Sequence, residues 1–178
     1  MLKSLYPYEF LDSVFAIDYQ KLRDKGYKGL IFDIDSTLVP HGRPSTPEID
    51  ALFKEIQNLG FKTLLLSNNS DERIKEFTVN IDSLYIPLAD KPKTDNYLKA
   101  LKLLDLPKDQ VVMIGDQLFT DILGANRSGI ASILVQFLMQ ENETKIGKKR
   151  MVEKLILASY GLQKAYQHRL GDIEKKGV

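Results

Sequence analysis

The chain has 178 residues, 43% of them hydrophobic and 28% charged, with no Cys, two His, and 25 Lys+Arg against 24 Asp+Glu. That is about one domain's length and enough to bury a proper core, and the composition excludes disordered and fibrous classes. The missing Cys excludes disulfide scaffolds, thiolate metal sites and cysteine nucleophiles, and two His are too few for a His-rich zinc centre.

A net charge of +1 gives no reason to expect nucleic acid as a partner. The balance is uneven, however. Residues 141–178 hold nine Lys/Arg against five Asp/Glu, whereas the first 140 residues hold 16 against 19. The expected organisation is a single domain: a helical lead-in over 1–27, a catalytic core over 28–140 and a basic helical tail over 141–178.

In chain order, Met1 to Phe10 is interrupted by Pro7 and Glu9 and lacks the apolar centre of a signal peptide. No run approaches the ~20 apolar residues of a membrane helix, so a soluble, cytoplasmic protein is expected. Lys28–Asp33 is a short buried run. Ser45-Thr-Pro-Glu48 then combines a capping hydroxyl, an early Pro and an early Glu, predicting a helix over Thr46–Leu59 that stops at Gly60. Phe61–Leu66 is a second apolar run. Asn69-Ser-Asp-Glu72 opens another helix, and Ser83–Pro87 is a weaker third run. Thr94 is the expected cap of a helix carrying Tyr97, Leu98, Leu101 and Leu104. Val111–Ile114 is a fourth run, Phe119–Ser128 a fourth helix, and Ile130–Val135 a fifth run. Continuous apolarity suits strands covered on both faces. The alternation predicts an α/β fold, a Rossmann-like three-layer sandwich with a mainly parallel sheet of about five strands.

Ligands of such sheets bind beyond the carboxyl ends of the strands, and chemistry concentrates there. The first run ends in Asp33-Ile-Asp35-Ser-Thr37, the second in Ser67-Asn68-Asn69. The third is followed by Ala89-Asp-Lys91-Pro92, and the fourth ends in Gly115-Asp116 with Asp121 five residues on. Clustered carboxylates repel unless a cation joins them, and hard oxygen donors point to Mg²⁺. Neutralised by Mg²⁺, Asp33 can approach a phosphate dianion, with Lys91 and Ser67 holding the other phosphate oxygens. Asp35, two residues on and able to face the same side of an extended segment, can protonate the leaving oxygen and later deprotonate water.

Asp-x-Asp-x-Thr after a strand, a strand-end Ser, a Lys-Pro and Gly-Asp-x4-Asp, in this order, resemble the haloacid dehalogenase (HAD) superfamily. Gly26-Tyr-Lys-Gly29 and Gly115-Asp-Gln-Leu-Phe-Thr-Asp-Ile-Leu-Gly124 further resemble the YqeG-like subfamily IIIA phosphatases, relatives of phosphatidylglycerophosphate phosphatases. Ser36 departs from the Asn usual there. The resemblance implies an Mg²⁺-dependent phosphate monoester hydrolase in which Asp33 is the nucleophile and Asp35 the acid/base. Ser67, Asn68 and Lys91 bind phosphate. Asp33, the Asp35 carbonyl and Asp116 ligate the metal, and Asp121 supports it. The implied substrate is a lipid-linked phosphate such as phosphatidylglycerophosphate, with small-molecule, nucleotide and protein phosphates as alternatives. A phosphoacceptor signalling module and a non-catalytic binding protein are further readings; the Asp-x-Asp pair and the complete side-chain set speak against them.

Asp121 has an alternative in a helix's first turn, and Lys93 competes with Lys91. His41 and Arg43 read equally as a substrate-facing flap or a solvated loop, and Asn69 as a substrate contact or a helix cap. The 34 residues from Asp33 to Ser67 and the 24 from Ser67 to Lys91 leave no room for a cap domain. Lys148-Lys-Arg150 precedes Val152, Leu155, Ile156 and Ser159 at helical spacing. The favoured reading is a helix docking that apolar face on the sheet with its basic residues solvated; the alternative is peripheral contact with an anionic membrane.

Overall fold

The computed structural model describes residues 2–139 and 148–175. Residues 141–147 and 176–178 of the expected basic tail lie outside the described residues. Six strands, β1 (Glu9–Leu11), β2 (Gly29–Phe32), β3 (Lys62–Leu66), β4 (Leu84–Ile86), β5 (Val111–Gly115) and β6 (Ala131–Val135), form one sheet in the order β1-β6-β5-β2-β3-β4. Every pairing is parallel. The expected runs become β2 to β6. The additional strand, β1, lies in the segment read as helical; it is three residues long, at an edge, and carries a Glu, so it shows little apolar signal.

Because both faces are covered, neighbouring residues of one strand feed different cores. Leu30 and Phe32 of β2, Leu65 of β3 and Val112 and Ile114 of β5 pack with Tyr19 and Leu22 of α1 (Tyr19–Asp24). The same core takes Leu52, Phe53 and Ile56 of α2 (Pro47–Asn58) and Ile74 and Phe77 of α3 (Asp71–Phe77). Ile31, Leu64, Leu66 and Met113 face the other way, onto Tyr97, Ala100 and Leu104 of α4 (Asp95–Leu104) and Ala125 of α5 (Leu123–Ser128). A third cluster seats Ile156 and Tyr160 of α6 (Lys148–Gly161) against Leu5, Tyr6, Leu118, Ile122 and Leu134.

Local chemistry sets the helix starts. Thr46 caps α2 by accepting from the Ile49 N–H, and Ser70 rather than Asn69 caps α3 through the Arg73 N–H, bonds typically worth ~1 kcal/mol. Thr94 precedes α4 but makes no side-chain cap, because its own backbone is already helical. The expected helix over 119–128 begins instead as a π-helical turn, Leu118–Ile122, that leads into α5.

Strand order places the functional edge. From β2 the chain builds outward through β3 and β4, then returns to build β5 and β6 on the other side, where β6 pairs with the earlier strand β1. The direction of winding reverses between β2 and β5, and the crevice at such a reversal is where open α/β sheets bind ligands. Phe32 pairs with Ile114, and the Asp33 N–H donates to the Ile114 carbonyl at 3.0 Å, so Asp33 and Asp116 leave adjacent strands level with one another.

Candidate active site

Five side chains form the floor of the crevice. Lys91, buried, donates from Nζ to Asp33 Oδ1 at 2.5 Å and to Asp121 Oδ1 at 2.7 Å. Thr37 Oγ1 donates to Asp116 Oδ1 at 2.9 Å and reaches Asp33 Oδ2 at 3.4 Å. Asp121 Oδ2 accepts from the Gln117 N–H at 3.1 Å, and Gly115 is small because a Cβ there would lie 2.5 Å from the Asp121 side chain. The π-helical turn that carries Asp121 is held by α4: Tyr97 donates its hydroxyl to the Thr120 carbonyl at 3.0 Å. The same Tyr ring lies so close to Gly124 that a Cβ would be 2.3 Å from it.

Each of Asp33, Asp116 and Asp121 offers an oxygen within 4.8 Å of the others, all three buried. Burial first, then repulsion from Asp121 and Asp116 against the pull of Lys91, pushes the Asp33 carboxyl up to about 8. Burial and Asp121 likewise raise Asp116 to about 6, against the opposing pull of Arg150. Burial alone would lower Lys91, but Asp121 and Asp33 outweigh it and hold the ammonium charged. Three dry carboxylates, two of them sharing one lysine, with only oxygen donors, fit a hard divalent cation.

The rim differs. Asp35 follows the end of β2 and is bridged to Val39, and Ser36 adopts a left-handed φ of 65° immediately after it. Its carboxylate accepts from the Gly42 N–H at 2.9 Å, from Arg73 at 2.9 Å and from the Asn69 side-chain amide, with His41 Nδ1 3.6 Å away. Burial pushes the Asp35 pKa up, but these bonds from Gly42, Arg73 and Asn69 outweigh it and leave the group below the ordinary carboxylate range. Arg73 also donates to the Arg43 carbonyl at 2.6 Å, while the Arg43 side chain is exposed.

A hollow of about 130 Å³ between floor and rim is lined by Asp33, Asp35, His41, Ser67, Asn68, Asn69, Lys91, Gln117 and Thr120. Ser67 is buried at the end of β3, its hydroxyl accepting from the Asn69 N–H at 3.2 Å. Asn68 accepts from the Lys91 N–H at 2.9 Å, which ties the loop carrying the lysine to β3; the Lys91–Pro92 peptide is cis. Lys93 points away and pairs with Asp90. The structure therefore brings Asp33, Asp35, Ser67, Asn68, Lys91, Asp116 and Asp121 to one edge.

Four residues given no role by the sequence reading belong here. Thr37 was part of the Asp-x-Asp-x-Thr signature and could have been assigned from it. Arg73 sits on the exposed start of α3 with no local signal. Arg150 read as one of three solvated cations, yet it donates to the Asp116 carbonyl at 2.6 Å and to Asp116 Oδ2. Glu153 holds Arg150 at 3.0 Å and accepts from the Leu118 N–H at 2.9 Å. The inward face of α6 is accordingly Glu153, Ile156 and Tyr160, with Ser159 bonded to the Tyr6 hydroxyl, while Val152 and Leu155 are 47% and 72% exposed. A hydrophobic stripe passes over Glu153, whose carboxylate is satisfied by Arg150 one turn back and by the Leu118 N–H, 35 residues away.

The loop from residue 34 to 46 and α2 are all that separate Asp33 from Ser67, apart from β3; α3 and β4 fill the interval from Ser67 to Lys91. Among the described residues, no inserted domain lies over the crevice.

The fold of this chain also occurs in solved structures. One, described as an uncharacterized protein from Listeria monocytogenes serotype 4b, superposes over 77% of this chain and 99% of its own with a TM-score of 0.54 at 23% identity. A family model described as HAD-hydrolase-like matches residues 88–138. The Bacillus subtilis protein named "Probable phosphatase YqeG" is 37% identical over 161 residues, 89% of this chain and 94% of its own. The chain therefore belongs to the HAD-like hydrolases, in the family that includes YqeG. It is also 31% identical, over 71% of its length, to the chloroplastic phosphatidylglycerophosphate phosphatase 1 of Chlamydomonas reinhardtii, of which the match spans about half. No helix among the described residues is long and apolar enough to cross a membrane.

Proposed function

We propose that the chain is an Mg²⁺-dependent phosphatase that hydrolyses a phosphate monoester through an aspartyl-phosphate on Asp33. The observation that carries this reading is the Lys91 ammonium lodged between Asp33 and Asp121 with Asp116 beside them, under a hollow rimmed by Asp35. Asp33, Asp116 and the Asp35 carbonyl would hold the cation, with Asp121 in support; when bound, it neutralises the carboxylates and a phosphate oxygen. The remaining work falls to the chain. Ser67, Asn68 and Lys91 orient the phosphoryl oxygens. An Asp33 oxygen attacks phosphorus as the bond to the leaving oxygen breaks, and Asp35 gives that oxygen its proton. Asp35 then takes a proton from water, whose oxygen attacks phosphorus and releases Asp33 and inorganic phosphate. Arg73 and Asn69 hold Asp35 in place. A phosphate dianion beside Asp35 favours its protonated form, which offsets their downward pull.

The finer part of the proposal is a lipid-linked substrate. It is supported by the algal relative's name, by the crevice's lack of an inserted domain, and by the outer face of α6. There Met151, Val152 and Leu155 are exposed beside Lys149 and Lys154, a pairing suited to an anionic bilayer surface. Turnover of an aryl phosphate with and without Mg²⁺, in wild type and Asp33→Asn, tests the chemistry; equal activity in all four samples would sink it. Sedimentation with anionic against zwitterionic vesicles tests the surface.

A further inference from the structure

A second hollow adjoins the first. About 230 Å³ in volume, it runs between α6 and the carboxyl ends of β6 and β5, with Phe10 of β1 at one side. Phe10, Leu118, Leu134, Val135, Phe137 and Leu157 give it apolar walls. The α6 wall is one helical ridge, Arg150, Glu153, Lys154 and Leu157, at spacings of three and four. Consecutive residues after β5 divide between the two hollows: Gln117 lines the catalytic one, Asp116 and Leu118 the apolar one.

Its polar groups are sorted by use. Glu153 is spent on the Leu118 N–H and on Arg150, and Arg150 on Asp116 and Glu153, with Phe137 stacked 4.7 Å from the guanidinium. Lys154, exposed at the mouth, makes no ion pair among the described residues. An apolar slot with one uncommitted cation at its entrance, opening beside an anion-binding crevice, suits an anionic amphiphile.

We propose that this cleft is an alkyl-chain subsite: it takes one chain of an anionic phospholipid, whose charged headgroup lies at Lys154. Resting on the reading of a lipid-linked substrate, it makes α6 the wall against which the non-reacting part of that substrate is held, a task that an inserted domain would otherwise perform. The chain's burial in the slot is the binding energy, and Lys154 supplies preference for negative charge.

The test uses dihexanoyl phosphatidylglycerol below its micellar concentration, an anionic lipid with no phosphate monoester for Asp33 to attack. Calorimetric titration of the full chain should show saturable binding, tighter than for dihexanoyl phosphatidylcholine. Leu157→Asp should weaken it at least tenfold, and Lys154→Glu should remove the preference for the anionic lipid. Leu155→Asp, on the outer face of α6, should leave it unchanged, and circular dichroism checks that each variant is folded. Binding insensitive to Leu157→Asp, or lost in Leu155→Asp alone, overturns the subsite, as does an absence of binding in a protein that turns over aryl phosphate. Binding with the expected variant pattern in a protein that cleaves no phosphate ester supports the subsite and overturns the phosphatase reading instead.

Discussion

Asp33 and Asp35 stand two residues apart and live in opposite environments. Asp33 lies on a dry floor where other carboxylates crowd it and one lysine serves two of them. Asp35 lies at a half-wet rim where a backbone N–H, an amide and a guanidinium all donate to it. The floor raises its carboxyls and the rim lowers its own. Pairs of acids whose environments push them apart can divide nucleophilic and proton-transfer work. The difference also says what each region needs: the floor needs an added cation, whereas the rim is already balanced.

The largest expected effect breaks the floor. Asp33→Asn should reduce aryl phosphate turnover by at least ~10³-fold, since no other group can form the covalent intermediate. The same change removes one of the crowded charges. The metal-free variant should therefore unfold at a higher temperature than wild type at pH 8, which differential scanning fluorimetry would read. Loss of both activity and stability would mean that Asp33 is a structural partner of Lys91 first.

Lys91→Met acts on the same floor from the other side. It leaves Asp33 and Asp121 buried without their cation, a change worth about 3–5 kcal/mol. The loss, measured by urea unfolding, should be greatest at pH 8 and shrink toward pH 5, where Asp33 and Asp116 take up protons and the repulsion falls.

Metal should reverse the pH dependence of the floor. A carboxyl raised on folding stabilises the protein below its unfolded value near 4 and loses that contribution as pH rises through its folded value. Metal-free stability from this cluster therefore declines as pH passes about 6 for Asp116 and about 8 for Asp33. Mg²⁺ binds the deprotonated set, so its stabilisation should grow over the same range, to about 2.7 kcal/mol at a hundredfold excess over Kd. Equal shifts in Tm on adding Mg²⁺ at pH 5 and pH 8 would place the cation elsewhere.

At the rim, Arg73→Ala removes one charged donor from Asp35 and should raise its pKa. For an alkyl phosphate, whose leaving oxygen needs a proton, the alkaline limb of kcat/KM should move to higher pH. Arg73→Lys should keep most of the wild-type profile. A limb that does not move would assign the proton to a group other than Asp35.

How legible these two regions were follows from the range of their interactions. The floor's residues come one per strand end, each flagged by an apolar run before it, so Asp33, Ser67, Lys91 and Asp116 could be read off in order. Asp121 followed from its spacing after Gly115-Asp116, though not the π-helical turn that delivers it. The rim's Arg73 and the clamp of Arg150 and Glu153 could not be read, because their partners lie 38, 34 and 35 residues away and none sits in a pattern. Strand β1 was hidden for the same reason: an edge strand with Glu9 inside needs its neighbour β6 to explain it.

The smallest prediction concerns the residue that joins floor to rim. Between Asp35 and Thr37 the chain must turn back on itself, so that one side chain serves the rim and the next but one returns to Asp116. Ser36 makes that turn at a φ of 65°, a conformation ordinary side chains occupy at some cost and Asn occupies more readily. The loop tolerates Ser because it is held from outside: the Ser36 N–H donates to the Val39 carbonyl at 2.7 Å, and its carbonyl accepts from the Leu138 N–H at 2.8 Å. Ser36→Asn should relieve about 0.5 kcal/mol of this strain, visible as a rise in Tm of ~1–2 °C. Ser36→Ala, which keeps a Cβ and loses the polar side chain, should lower Tm instead. If Asn and Ala behaved alike, the left-handed turn would not be what sets the separation of Asp33 from Asp35, and the two environments would have to arise from the strand ends alone.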